Sequence, residues 1–226
     1  MITPILFLGA GNMGGAILDG WLKAGAFAAG DLAIVDPRPG PAALRAQAAG
    51  ATLNPPAADL AKARTVMVCV KPQIWREAAA QYAAGLAADA VVVSVVAGVG
   101  VRDLAHAFGD RTVARVIPTT AAAINRGTAS LYADDPAARA RAHALFEPLG
   151  TVVDLSDETQ MHAATAVSGS GPAYLYAFVE SLEAAGAAAG LAPADASRLA
   201  RATIAGAAAL LAESGEDPAE LRRQVT

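Results

Sequence analysis

The chain has 226 residues, 54% of them hydrophobic, a formal net charge of −4 and one cysteine, which suits one large or two small domains, here read as two. No Lys/Arg cluster is present to neutralise a phosphate backbone, so the composition argues against a nucleic-acid partner. Cys69 has no intramolecular partner, and its place in the apolar run VMVCV reads as a buried, reduced thiol of a cytoplasmic protein.

The N-terminus MITPILFLGAG has no basic region and runs straight into a strand and a glycine turn, so it reads as structure rather than as a signal peptide. Short β-rich runs then alternate with Ala-rich amphipathic segments. They are ILFL, a helix over 12–23, LAIV, a helix over 41–49, TVMVCV, a helix over 73–86, and AVVVSVV. Continuous apolar strands in a βαβαβαβ order imply a parallel sheet covered on both faces, the doubly wound α/β arrangement. Further short strands are expected at TVARVI, ASLY and TVVDL, with a helix over 136–147 between the last two. The sheet is expected to end near Asp154.

Beyond Asp154 the pattern is helical only and dense in alanine and glycine. Small side chains let helices approach closely but bury little area each, so one layer of such helices makes a weak core. A second copy of the chain is the simplest cover, which predicts a symmetric homodimer. Leu175, Tyr176, Phe178, Leu182, Leu199, Ile204 and Leu210 supply helix-spaced anchors. The expected division is a dinucleotide-binding domain over 1–154 and an all-helical dimerisation and substrate domain over 155–226. The stretch 159–179 has no Asp, Glu, Lys or Arg and is long enough to cross a bilayer, but it contains Gln160, His162, Ser168, Ser170 and Pro172 and lacks a positive flank. Burial in a protein interface is therefore expected instead of a membrane span.

The first strand leads into GAGNMG, in which Gly9, Gly11 and Gly14 satisfy Gly-x-Gly-x-x-Gly at a strand-to-helix junction. Gly9 permits the tight turn, Gly11 lets a pyrophosphate approach the backbone, and Gly14 lets the helix pack on the strand. Leu8, Ala10, Asn12 and Met13 belong to the same turn. The second strand ends at Asp36, where an acid contacts the ribose 2′-hydroxyl of NAD. Arg38, two residues on, suits the 2′-phosphate of NADP, so NADPH and NADH both stay open. The third and fourth long strands end at Val70-Lys71-Pro72 and Ala97-Gly98, where a nicotinamide is expected, and Lys71 is the one charged group there.

FLGAGNMGGAI, VKPQ, SVVAGV, RVIP and, above all, SGSGPAY followed by ESGEDPAELRRQVT resemble, in order and spacing, the motifs of pyrroline-5-carboxylate reductases. The resemblance covers essentially the whole chain. It implies a Rossmann domain followed by helices that interlock with those of a second subunit, in a dimer or higher homo-oligomer. It also implies hydride transfer from NADPH or NADH to 1-pyrroline-5-carboxylate, giving L-proline in the last step of proline biosynthesis. Lys71, Pro118, Thr119, Ser168 and Ser170 become the substrate-side candidates, and Asn54 a candidate near the adenine ribose. Pro172 is expected to interrupt a helix by clashing with the carbonyl of Ser168, turning the hydroxyls of Ser168 and Ser170 towards the nicotinamide. Thr119 and Ala121 stand where the family usually has asparagine and proline. The family's Ser-Pro-Gly-Gly-Thr-Thr substrate loop would follow Thr226, so the helical domain reads as truncated.

Reducing a cyclic imine needs hydride at carbon and a proton on nitrogen, and positioning is the main task. In keeping with this, His106, His143 and His162 are scattered, without metal-ligand spacing, and no hydrolase triad is visible. Two other readings fit the fold: a reductase of another imine or a hydroxy acid, and a non-catalytic dinucleotide-binding dimer.

Overall fold

A computed structural model describes residues 1–225; Thr226, the last residue of the ESGEDPAELRRQVT motif, lies outside the described residues. In chain order the elements are β1 (Ile5–Leu8), α1 (Asn12–Ala24), β2 (Leu32–Val35), α2 (Pro41–Ala48), β3 (Thr52–Leu53) and β4 (Thr65–Val68). There follow α3 (Trp75–Tyr82), β5 (Val91–Ser94), α4 (Val101–Ala107), β6 (Val113–Pro118), β7 (Gly127–Tyr132), α5 (Pro136–Phe146) and β8 (Gly150–Asp154). The last helices are α6 (Met161–Ala164), α7 (Gly171–Ala188), α8 (Pro193–Ser214) and α9 (Pro218–Gln224).

The strands form one eight-stranded sheet in the order β3-β2-β1-β4-β5-β6-β7-β8. From β3 to β6 every pairing is parallel, as the continuous apolar runs require. Direction then reverses, because β7 is antiparallel to β6 and β8 runs parallel to β7. The physical reason is connection length: only a short 3₁₀ turn at Thr120–Ile124 separates β6 from β7, too little for a parallel crossover, whereas α5 supplies one between β7 and β8.

Strand residues alternate into two apolar layers. Ile5, Phe7, Met67, Val93 and Val116 meet Trp21 and Phe146 on one face; Leu6, Leu8, Val66, Val68 and Val92 meet Trp75, Leu104 and Phe108 on the other. Trp21 anchors α1. Its ring meets Phe7 edge-on at 5.6 Å and Phe27 at 5.1 Å, and its indole N–H donates to Leu145 O at 2.7 Å. Truncating such a side chain typically costs roughly 3–5 kcal/mol. Helix ends are written in the sequence: Asp135 accepts from the N–H groups of Ala137 and Ala138 ahead of Pro136, and Gly25 ends α1 in the left-handed region.

The contacts divide the chain into two compact units, Met1–Gly169 and Ser170–Thr226, later than the division expected at 154/155. The sheet does end at Asp154, but α6 and the turn after it pack on β6 and β7. In the second unit α7 and α8 pack on each other where side chains are small: a Cβ on Gly186 would lie 3.1 Å from that of Ala196. Ala196 and Ala200 are the buried residues of α8, while Tyr174, Leu175, Tyr176, Phe178, Leu199, Leu210 and Leu211 are exposed. Among the described residues no helix is long and apolar enough to cross a membrane.

Candidate functional site

The glycine turn is shaped as the spacing requires. Gly9 has φ +91°, and a Cβ there would lie 3.0 Å from the backbone of Cys69 and Val70; a Cβ on Gly14 would lie 2.2 Å from Gly9 O. At Gly11, by contrast, a Cβ would meet nothing within 4 Å. The same glycine begins α1 with no side chain capping the helix and no acid in its first turn. An open cradle in front of uncapped N–H groups fits a pyrophosphate, which the helix dipole also favours. Leu8 and Ala10 are buried beneath the turn, Met13 is half-buried, and Asn12 is exposed at its rim.

Asp36 does more for the protein than the sequence suggested. Its Oδ2 accepts from Ala10 N–H at 2.8 Å and its Oδ1 from Arg38 N–H at 2.8 Å. Asn54, at φ 50°, clasps the backbone of the same residue: Oδ1 accepts from Asp36 N–H at 2.9 Å and Nδ2 donates to Asp36 O at 3.0 Å. Asp36 and Asn54 thus brace the turns around the cradle, where the sequence placed both beside a ribose. Arg38 is exposed, and no ion pair forms on its guanidinium among the described residues.

The remaining candidates stand at the carboxyl ends of neighbouring strands. Lys71 and Pro72 are exposed beyond β4, with Val70 half-buried before them. Ala97 and Gly98 are exposed beyond β5, Gly98 at φ +75°. Pro118 closes β6 and is buried. Thr119 follows it, also buried, and its Oγ1 accepts from Thr128 N–H at 3.0 Å, so the hydroxyl serves the β6–β7 turn.

The SGSGPAY stretch departs from the expected helix break. Thr165–Gly169 form a π-helical turn, and α7 starts afresh at Gly171 with Pro172 in its first turn. There the missing N–H has no intrahelical acceptor to lose, so Pro172 begins a helix instead of interrupting one. The π-turn lies against β6 and β7. Ser168 Oγ donates to Ala164 O at 2.9 Å and lies 3.4 Å from Ser130 Oγ. Ser170 begins the second unit and accepts from Ala173 N–H through its carbonyl.

Three polar residues beside this edge escaped the sequence reading: Ser94, Arg115 and Ser130, all buried in strands. Their signal was present, since each interrupts an otherwise apolar run. Tyr132, opposite Arg115 in the ladder, donates to Asp134. That hydrogen bond, with burial and the charges of Asp134, Asp157 and Glu158, pushes the phenol up to about 12. Cys69 is half-buried, and desolvation pushes its thiol well above the usual range, so it is a packing residue.

Comparison with known proteins bears on the whole chain. It is 37% identical to the pyrroline-5-carboxylate reductase of Pseudomonas aeruginosa over 235 aligned residues, covering 100% of this chain and 85% of that one. The chain belongs to the pyrroline-5-carboxylate reductase family. The Escherichia coli reductase is 32% identical over 230 residues, again covering 100% of this chain and 85% of the relative. Residues 158–226 match the family description "Pyrroline-5-carboxylate reductase dimerisation", and residues 4–98 match "NADP oxidoreductase coenzyme F420-dependent". Among solved structures, the Coxiella burnetii reductase superposes with a TM-score of 0.89 at 25% identity, covering 100% of this chain and 86% of that one. A Plasmodium falciparum pyrroline carboxylate reductase with NADP bound has a TM-score of 0.85 at 23% identity, covering 99% and 84%, which establishes the shared fold.

Proposed function

We propose that this family member reduces 1-pyrroline-5-carboxylate to L-proline with NADPH. The observation that carries the reading is the placement of the open Gly11 cradle, Lys71, Ala97–Gly98, Pro118 and the Ser168 turn along one edge of the sheet. Ligands of open α/β sheets lie beyond the carboxyl ends of the strands. When bound, NADPH supplies the hydride that the imine carbon accepts, while the ring nitrogen takes a proton.

The chain's own residues bind and orient. The N–H groups opening α1 hold the pyrophosphate, and Arg38, exposed and unpaired among the described residues, takes the 2′-phosphate in preference to a bare hydroxyl. Ala97 and Gly98 leave room for the ring. Lys71 and Ser168 set the charge and hydrogen bonding around the imine, whose protonated form is already electrophilic, so no strong protein acid is required. The exposed apolar residues of α7 and α8 are covered by a second copy of the chain, in line with the dimerisation description that residues 158–226 match. A cytoplasmic setting suits a fold whose one cysteine is a free thiol.

Mixing protein, NADPH and the pyrroline substrate while following loss of reduced-cofactor absorbance tests the reading. Oxidation dependent on the pyrroline is expected. Oxidation only with other imines or hydroxy acids, or tight binding without turnover, would overturn it.

A further inference from the structure

Arg115 is an anomaly of β6. It is 6% exposed in a strand buried throughout, and its Nε has no hydrogen-bond partner among the described residues. Its Nη1 donates to Glu158 Oε1 at 3.0 Å. A buried ion pair is weak evidence for stability, because apolar residues of the same size often serve a core equally well. What distinguishes this pair is what else the carboxylate holds.

The same Oε1 accepts from Val101 N–H at 2.8 Å, the first residue of α4. The carboxylate also rests on Gly100, where a Cβ would lie 3.5 Å from Oε1 and 3.7 Å from Oε2. Val101 follows closely on Ala97–Gly98, the exposed loop beyond β5. The other end of that loop is pinned as well, since Ser94 Oγ accepts from Val96 N–H at 3.2 Å, and Ser94 is the cross-strand neighbour of Arg115. In the other direction, Glu158 leads through α6 into the π-turn that carries Ser168. One carboxylate oxygen therefore ties β6, the start of α4 and the run towards Ser168 into a single register.

We infer that Glu158 is a positioning residue of the reductase: held by Arg115, it fixes the Ala97–Gly98 loop against which the nicotinamide ring lies. The inference rests on the proposed reaction for the identity of the ring, but its structural part can be read without turnover. Glu158→Ala removes the anchor of Val101. Glu158→Gln keeps an acceptor oxygen for it. Arg115→Met/Glu158→Ala removes the anchor without leaving a lone buried charge, so it reports even where the single alanine variant does not fold.

NADPH affinity by titration is expected to stay within about twofold in every variant that folds, because the Gly9–Gly14 turn is untouched. Fluorescence lifetime and anisotropy of saturating NADPH, which report how firmly the ring is held, are expected to fall towards free values in Glu158→Ala and in the double variant, and to recover in Glu158→Gln. With the pyrroline, kcat is expected to drop about 10- to 100-fold in Glu158→Ala, the scale of a small misplacement of reacting groups. The isotope effect from NADPH deuterated at the transferred position is expected to rise. Wild-type ring fluorescence in the double variant, or losses that follow the unfolded fraction and not the anchor, would overturn the inference. A wild-type protein that binds NADPH but leaves the pyrroline unreduced would overturn the reaction instead, and the fluorescence would still decide the role of Glu158.

Discussion

The N–H of Ala10 points at Oδ2 of Asp36 across 2.8 Å, so the carboxylate just beyond β2 is engaged by the glycine turn itself. Its other oxygen is taken by the N–H of Arg38. Asp36→Ala therefore loosens the cradle for any dinucleotide and is expected to weaken NADPH and NADH together. Arg38→Ala removes a guanidinium that no carboxylate holds among the described residues, and is expected to weaken NADPH about 10- to 100-fold, the worth of charge-assisted hydrogen bonds at about 1.5–3 kcal/mol, with NADH little changed. Fluorescence titrations with both cofactors check this. Selective loss of NADH in Asp36→Ala would make that carboxylate a ribose acceptor after all.

Two glycines of one turn are expected to fail in different ways. A Cβ on Gly14 would stand 2.2 Å from Gly9 O, a contact no rotamer relieves, so Gly14→Ala must move α1 away from β1. A Cβ on Gly11 meets open space, and alanine in place of glycine at an N-cap costs only about 0.5–1 kcal/mol. Gly11→Ala should therefore melt only slightly below the wild type, well above Gly14→Ala, but bind NADPH at least about tenfold more weakly, because its methyl enters the phosphate cradle. Thermal melts beside binding isotherms separate the two, and normal affinity in Gly11→Ala would refute the cradle.

Leu175, Phe178 and Leu182 are 43%, 56% and 37% exposed on α7, spaced so that they share one stripe. That much apolar side chain bared by one protomer is expected only if a second subunit covers it and removes it from water. Leu175→Glu/Phe178→Glu should convert the assembly to a protomer by light scattering at micromolar concentration, with the first unit still binding NADPH. An unchanged mass would place the interface elsewhere.

Much of this was legible in the sequence, for local reasons. The glycine turn is dictated by contacts within a few residues, and β1, β2, β4, β5 and β6 were readable because continuous apolar runs admit few alternatives. The reversal at β7 was not read, because it depends on how short the β6–β7 connection is in space. β3 and α4 were missed as well: one is two residues long, and the other begins at an N–H satisfied by Glu158 from a distant part of the chain. The π-turn was mistaken for a proline kink, since Pro172 is visible in the sequence while the contact of Ser168 with Ser130 is not. Asp36 and Asn54 were read as ribose-side residues; that their side chains brace the turns around the cradle follows from tertiary hydrogen bonds the sequence does not display.

The edge of the sheet carries the fourth test. His143 on α5 lies 2.8 Å from Glu147 through Nδ1 and 2.8 Å from Asp154 of β8 through Nε2. Partial burial pulls its pKa down, but the hydrogen bonds and charges of the two carboxylates outweigh that and raise it above the ordinary value of 6.5. A raised value in the folded state means that the imidazolium stabilises the fold fully below about pH 6.5, the unfolded value, and that this contribution is lost as pH rises through the folded value. The imidazole is 28% exposed and its partners 65% and 41%, so the contribution is about 1 kcal/mol or less after solvent screening. Urea unfolding at about pH 5.5 and about pH 8.5 should show the wild type losing more stability between the two than His143→Gln does, and the difference should shrink in high salt. A variant with the same pH dependence as the wild type would show that the His143 ion pairs add nothing to the hold of α5 on β8.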